Sequence, residues 1–440
     1  MKIMFISLGC DKNLVDTEQM LGILGAKGHT FTDDETEAEV IVVNSCCFIN
    51  DAKEESIETI LEMAQYKEDG HLKALIVTGC LSERYKEEII KEIPEVDAVI
   101  GTSSYDKIAE TIENVLNGDK ALVFEDLNRL PDVKTNRMVT TGGYYAHLKI
   151  AEGCDKYCTY CIIPKIRGKY RSFPMEKLVA EAEYLASIGV KELILVAQET
   201  TIYGVDLYGK KSLHVLLKEL CKISGIKMIR IMYCYPEEIY DELIETIASE
   251  KKICHYLDMP IQHCSDDVLK RMGRRTSKEE LIAIIHKLRD RIPDIVLRTT
   301  LIAGFPGETE ENHQEMMEFV DEMEFDRLGV FTYSPEENTP AAVMDNQLPE
   351  EIKCDWRDEI MELQQEIAFD KSESMIGREL LVMVEGKIAN EPAYVGRTYM
   401  DAPGIDGNIF INTGEEFISG DLVRVKVTGA NEYDLIGEVL

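Results

Sequence analysis

The chain lacks long apolar runs. No stretch approaches the roughly 20 apolar residues of a membrane helix, so a helical membrane anchor is excluded. It also lacks positive charge: Lys and Arg number 48 against 82 Asp and Glu, a net charge of −34. So acidic a surface repels nucleic-acid phosphate and favours basic partners, or serves solubility alone. No export signal is expected either. Met1–Gly9 is apolar and, with Lys2 and then Cys10, imitates a lipoprotein signal. Its apolar part is too short, and the pattern runs straight on into a helix. Twelve cysteines in 440 residues without such a signal do not read as a secreted disulfide framework. A cytoplasmic protein is the expectation. The paired Cys-x2-Cys sets of structural zinc are absent as well.

What is present begins with Cys154-Asp155-Lys156-Tyr157-Cys158-Thr159-Tyr160-Cys161, a Cys-x3-Cys-x2-Cys loop near the middle of the chain. Three thiolates suit three irons of a four-iron cluster. The fourth iron then keeps an open position, where a small molecule with an amino and a carboxylate group could chelate it.

Residues 1 to about 117 alternate strand and helix: strands Lys2–Gly9, Val40–Ser45, Ala74–Gly79 and Val96–Ile100, with helices Asn13–Ala26, Ala52–Tyr66 and Glu83–Ile93 between them. Continuous apolar strands between amphipathic helices argue for a doubly wound parallel sheet. Cys10, Cys46 and Cys80 each sit just past the carboxyl end of a strand, and in an open α/β sheet those ends share one ligand-binding edge. Three thiols from distant parts of the chain would meet there and could hold a second cluster. Cys47 competes with Cys46, and spacing alone does not separate them.

After a turn-rich connector, Asn128 to Gly143, the strand Tyr144–Ile150 delivers Glu152-Gly153 and the cysteine loop. Strands Glu192–Val196, Met228–Met232, His255–Asp258, Val296–Ile302 and Arg327–Phe331 continue the alternation, with helices including Met175–Ile188, Pro236–Ser249 and Lys278–Arg289. Five or six such units suggest a parallel barrel, complete or partial, with its site at the carboxyl ends of its strands. Cys221, Cys234, Cys254, Cys264 and Cys354 have no partner spacing and read as structural; His263 reads as a hydrogen-bonded core histidine. Pro349–Ser374 is helical, with Ile352, Trp356, Ile360, Leu363 and Ile367 on one face, a strut against the barrel. Beyond Gly377, five short strands split by turns suggest a small antiparallel β-barrel. Residues 373–440 hold five basic residues against twelve acidic ones, a poor surface for phosphate.

The cysteine loop, with Tyr160 just before its third thiol, resembles the signature of the radical S-adenosylmethionine (SAM) enzymes. Over its full length the chain resembles their methylthiotransferase family, through Leu8-Gly9-Cys10, Asn44-Ser45-Cys46, Thr78-Gly79-Cys80, Ala151-Glu152-Gly153-Cys154, Cys161-Ile162-Ile163-Pro164 and Arg167-Gly168. Asp11-Lys12-Asn13-Leu14-Val15-Asp16, Cys47-Phe48-Ile49 and Val196-Ala197-Gln198 are most similar to the branch that modifies an aspartate in protein twelve of the small ribosomal subunit. Asp11, Cys47 and Phe173 depart from the residues frequent in the family; none removes a ligand.

The resemblance implies three domains: 1–117 with an auxiliary Fe–S cluster, 140–370 as the radical SAM core in a partial (β/α) barrel, and 373–440 as the β-barrel called TRAM. It implies two 4Fe–4S clusters, held by Cys10, Cys46 and Cys80 and by Cys154, Cys158 and Cys161, with SAM bound near Tyr160, Gln198, Gly304 and Pro306. Leu301-Ile302-Ala303-Gly304-Phe305-Pro306-Gly307-Glu308 resembles the adenine-contacting motif, where a tight turn is the plainer alternative. In the implied reaction, one SAM methylates sulfur at the auxiliary cluster. A second is cleaved to a radical that abstracts hydrogen from the β-carbon of the aspartate, and the cofactors, not a side-chain acid or base, carry the chemistry. The expected partner is a basic ribosomal protein met by a monomer, with acids such as Glu415, Glu416 and Asp421 facing it; neither free nucleic acid nor a membrane is expected. The sulfur donor and the reductant stay open. Two rival readings are a sister enzyme acting on a tRNA adenosine, which would carry a basic terminal barrel, and a two-cluster electron carrier, which would close its clusters with four cysteines.

Overall fold

The computed structural model describes residues 1–68 and 70–440. The first unit is a six-stranded sheet of β1 (Lys2–Ser7), β2 (Thr30–Phe31), β3 (Val40–Ser45), β4 (Ala74–Gly79), β5 (Ala98–Ile100) and β6 (Ala121–Val123), in the order β2-β1-β3-β4-β5-β6. Every pairing is parallel. β3 and β4 are buried at every residue, as their unbroken Val/Ile runs require of a sheet covered on both faces. The covering helices are α1 (Asp11–Ala26), α2 (Asn50–Ala64), α3 (Cys80–Tyr85), α4 (Glu87–Glu92) and α5 (Ile108–Leu116). The single helix expected over Glu83–Ile93 is two. The chain breaks at Lys86, where φ is +47°, and Glu87 and Glu88 then open a new helix at the end that favours acids. β6 is a strand that periodicity missed, being three residues long and half exposed.

The second unit is an open sheet of β7 (Tyr145–Lys149), β10 (Glu192–Val196), β11 (Met228–Ile231), β12 (Ile253–Asp258), β13 (Val296–Ala303) and β14 (Arg327–Thr332) in the order β14-β13-β12-β11-β10-β7, all parallel, which is a partial barrel. A short antiparallel pair, β8 (Ala151–Glu152) with β9 (Arg171–Ser172), brackets the cysteine loop. Helices α6 (Ile163–Ile166), α7 (Met175–Ser187), α8 (Val205–Tyr208), α9 (Leu213–Cys221), α10 (Asp241–Ser249), α11 (Asp266–Met272), α12 (Lys278–Arg291) and α13 (Glu310–Met323) connect the strands. Alternate strand residues face alternate sides. Leu193, Leu195, Ile229, Ile231 and Leu257 pack under the helices. Ile194, Val196, Met232 and Tyr256 pack with the terminal barrel.

The strut is α14 (Glu350–Glu373). Its buried face is Lys353, Trp356, Ile360, Gln364 and Ile367, whereas Ile352, expected inside, is exposed. Lys353 takes the inner place because its ammonium donates to the Tyr333 carbonyl at 2.9 Å and pairs with Glu350. The last unit is a closed barrel of β15 (Glu379–Lys387), β16 (Ala393–Arg397), β17 (Ile409–Asn412), β18 (Leu422–Asn431) and β19 (Asp434–Val439). Four of its seams are antiparallel and one, β17 with β19, is parallel. Glu192, fully buried at the foot of β10, accepts from Arg230 Nε at 2.9 Å and from Arg397 Nη2 at 2.6 Å, which pins the barrel to the core.

Candidate active site between two thiol triplets

β1, β3 and β4 are neighbours in one parallel sheet, with Ser7 beside Asn44 and Asn44 beside Thr78. Their carboxyl ends therefore lie side by side. Cys10 stands at the start of α1, Cys46 directly follows β3, and Cys80 is the first residue of α3. Gly9 (φ +85°) is a contact point: a Cβ there would stand 2.7 Å from Cys46 Cβ and 2.8 Å from Cys46 Sγ. Asn13 ties the loops together by donating to the Leu8 and Ser45 carbonyls at 3.1 and 3.0 Å. Burial raises the Cys46 thiol and pushes Cys80 up to about 12, against the pull of the Arg167 guanidinium. Cys47 is fully buried in the apolar cluster that holds Ile60, Leu81 and Cys80 itself, and burial pushes its thiol up to about 11.

The second triplet sits in the turn between β8 and α6. Gly153 (φ +76°) must be glycine, since a Cβ would meet the Lys169 carbonyl at 2.2 Å. Cys154 N–H donates to the Gly168 carbonyl at 3.1 Å and Cys161 N–H to the Cys158 carbonyl at 3.0 Å. Thr159 anchors the loop tip, bonding Met272 and Arg271 carbonyls at 2.9 and 2.8 Å. Burial pushes the Cys154 thiol up to about 12, opposed by the Lys156 backbone N–H. All twelve cysteines are free thiols. Among the described residues, no three Cys, His, Asp or Glu side chains form a single-ion cage. Each triplet is an all-sulfur donor set, and soft thiolates beside backbone turns that admit only glycine fit an Fe–S cluster.

The two triplets are linked through ion pairs buried between the first unit and the core. Arg167, 2% exposed, donates from Nη1 to Asp16 Oδ2 at 2.9 Å and approaches both Glu152 oxygens at 3.4 Å. Its Nη2 bonds Asn13 Oδ1 and lies 3.5 Å from Cys80 Sγ. Lys149 closes the network on Asp16 and Glu152. Burial alone would raise the Glu152 carboxyl, yet Lys149 and Arg167 hold it at about 2.

Of the residues expected near SAM, Tyr160 and the Gly304–Pro306 turn come together, with the Tyr160 ring 6.4 Å from Phe305, itself 5.3 Å from Tyr333. The side of Gly304 where a Cβ would stand is filled by Lys353 at 2.2 Å, and that of Gly307 by Arg271 at 2.3 Å. Both glycines also hold φ +77°, which alone favours glycine. Gln198 follows β10 with its buried Oε1 unpartnered among the described residues. Glu199, which sequence reasoning passed over, is fully buried; Thr201 N–H donates to its Oε1 at 2.9 Å while its Oε2 has no hydrogen-bond partner among the described residues. Burial pushes its carboxyl up to about 7 despite Lys156 nearby. Its strand-end position beside Gln198 was the available signal. His263 is a core histidine as expected, 3.2 Å from Glu308 and accepting from Ser265 N–H at 2.9 Å.

Family models match three stretches of the chain: Uncharacterized protein family UPF0004 at residues 2–101, the Radical SAM superfamily at 148–320 and the TRAM domain at 376–440. A protein named ribosomal protein uS12 methylthiotransferase RimO from Lachnoclostridium phytofermentans is 66% identical over 437 residues, 99% of each chain. The protein of the same name from Acetivibrio thermocellus is 51% identical over 446 residues, covering 100% of this chain and 98% of that one. Among solved structures, the radical SAM methyltransferase TsrM from Kitasatospora setae shares the fold at TM-score 0.57 with 12% identity, covering 78% of this chain and 77% of that one. By descent and by architecture, this chain belongs to the RimO family of radical SAM methylthiotransferases.

Proposed function

We propose that the chain is a SAM-dependent methylthiotransferase acting on the β-carbon of an aspartate in the small-subunit ribosomal protein uS12. The observation that carries this reading is the likeness, at 66% identity over 99% of both chains, to a protein named for that modification. We assign residues 1–117 to auxiliary cluster binding, 140–370 to the radical core and 373–440 to partner contact. Cys10, Cys46 and Cys80 would hold one 4Fe–4S cluster, and Cys154, Cys158 and Cys161 the other. When bound, the clusters and SAM supply hydrogen-abstracting radical chemistry at the second triplet and sulfur delivery at the first.

The chain's own residues orient and shield. Tyr160, stacked edge-on against Phe305, closes an apolar wall beside the loop, and Pro306 stiffens the turn behind it. Gln198 Oε1 and Glu199 Oε2 are buried and make no hydrogen bond among the described residues, with Lys156 Nζ 3.9 Å from the latter, and an ammonium group of SAM would satisfy them. Glu415 and Glu416 are exposed on the terminal barrel and suit a basic partner. Asp421, expected beside them, is committed instead to the Ile418 N–H at 3.0 Å and to Lys191 at 3.7 Å.

Mass spectrometry of uS12 from cells with and without the gene tests the reaction, with a mass gain on one aspartate expected only when the gene is present. The reconstituted chain should hold about eight irons, and replacing Cys154, Cys158 and Cys161 by Ala should leave about four with no SAM cleavage. Modification of a tRNA adenosine with uS12 unchanged would overturn the substrate; full iron and cleavage in the triple variant would overturn the ligand assignment.

A further inference from the structure

Two residues beyond Cys10, Lys12 is a buried cation without a carboxylate ion-pair partner among the described residues. It is 6% exposed, and among the described residues no carboxylate oxygen lies within 4.0 Å of its Nζ. The ammonium instead sits 3.3 Å from the centroid of the Tyr233 ring. Other buried cations of this region are paired: Lys149 with Asp16 and Glu152, Arg167 with the same two, Arg298 with Asp258. Asp11, the nearest acid in sequence, lies 3.5 Å from His147 Nε2 and accepts from the Tyr233 hydroxyl at 3.5 Å, so it acts on Lys12 from beyond ion-pair distance. A buried ammonium is costly unless something of opposite charge or a π face meets it, and one ring offsets only part of that cost. The start of α1 has no side-chain cap, so the positive end of its dipole adds to the Lys12 charge.

We infer that Lys12 is the receptor for the side-chain carboxylate of the substrate aspartate, a specificity-determining contact that rests on the proposed function. The β-carbon of an aspartate is one bond from its carboxylate. An ion pair with Lys12 therefore sets that carbon beside the Cys10 end of the auxiliary triplet, where sulfur is to be delivered. Tyr233 is the platform. Its backbone is held at φ +59° by its N–H donating to Asp258 Oδ2 at 2.9 Å, which fixes the ring under the ammonium. Asparagine, the same shape without the charge, would leave the lysine unpaired and should be rejected.

The test measures, on the reconstituted full chain, binding of a fluorescent peptide spanning the modified aspartate of uS12 and of its Asp→Asn isostere. Iron content is read in parallel. Wild type should prefer the aspartate peptide by at least about 30-fold, the usual cost of leaving a buried charge without its partner. Lys12→Met should bring the ratio to within a few-fold of one, and Lys12→Arg should keep most of it. Lys12→Met with the wild-type ratio, or with binding to both peptides lost, would place Lys12 in the fold or beside the cluster and overturn the inference alone. A wild type that binds both peptides equally, or neither, would overturn the inference together with the proposed substrate.

Discussion

Replacing Arg167 by Met keeps the length and apolar bulk of the side chain while deleting its charge and its fork of donors. In the native protein that fork holds Asp16 and Glu152, 3% exposed each, and touches Asn13 and the Cys80 sulfur. In the variant two buried carboxylates share Lys149 alone. Removing one partner of a buried ion pair costs about 3–5 kcal/mol, against about 0–1 for a surface pair. Lys149 offsets part of the loss, so the lower end applies, about 3 kcal/mol. That corresponds to roughly a hundredfold faster local opening. Hydrogen exchange on the metal-free protein should show it in the first turn of α1 and in Ile163–Gly168, the two segments that the guanidinium joins, and not in the terminal barrel. On reconstitution the auxiliary triplet should also bind iron about 10–100-fold more weakly, the usual effect of losing a partner behind a metal ligand. Arg167→Lys, which restores the charge without the fork, should fall between. Exchange within a factor of two of wild type and full iron content in Arg167→Met would show that the network is incidental.

Two further outcomes concern the terminal barrel. Burial would raise the Glu192 carboxyl, but Arg397 and Arg230 hold it below its ordinary value. Its contribution is therefore fully present above the unfolded glutamate value of about 4.3 and is lost as pH falls below it. Glu192→Gln should loosen the barrel by about 2 kcal/mol at pH 7 and flatten that acid dependence, read as proteolysis near Ser374–Gly377 across pH 3–7; an unchanged cleavage profile would count against the joint. Glu415→Lys with Glu416→Lys should weaken uS12 binding several-fold at low salt and little at 1 M, where the Debye length is about 3 Å. Equal affinity of wild type and variant at every salt would leave these acids a role in solubility only.

The convergence of Cys10, Cys46 and Cys80 was legible because a parallel sheet turns position along a strand into position in space. Cys10, Cys46 and Cys80 share a strand end, and no longer-range knowledge was needed to bring them to one edge. The pairings behind them were not legible. Lys149 meets Asp16 across 133 residues, Arg167 meets Asp16 across 151, and Glu192 meets Arg397 across 205. Neither propensity nor periodicity reports which distant charge will neutralise a buried one. Helical periodicity likewise put Ile352 inside and could not anticipate Lys353, whose inward turn needs the slot left by Gly304 and the free carbonyl of Tyr333. The same slot explains why the glycines near residue 304 pointed ambiguously. A missing Cβ says only that space is needed, and a lysine and an arginine from neighbouring helices fill it as readily as a ligand would. Composition gives the net charge of the terminal barrel but not which of its charges reach solvent. One of its five cations, Arg397, is spent on Glu192, while Asp401 is buried on Arg327. What faces solvent is set by which charges the joint consumes. Asp421 stabilises a turn there, and Glu415 and Glu416 are among the exposed acids left for a partner.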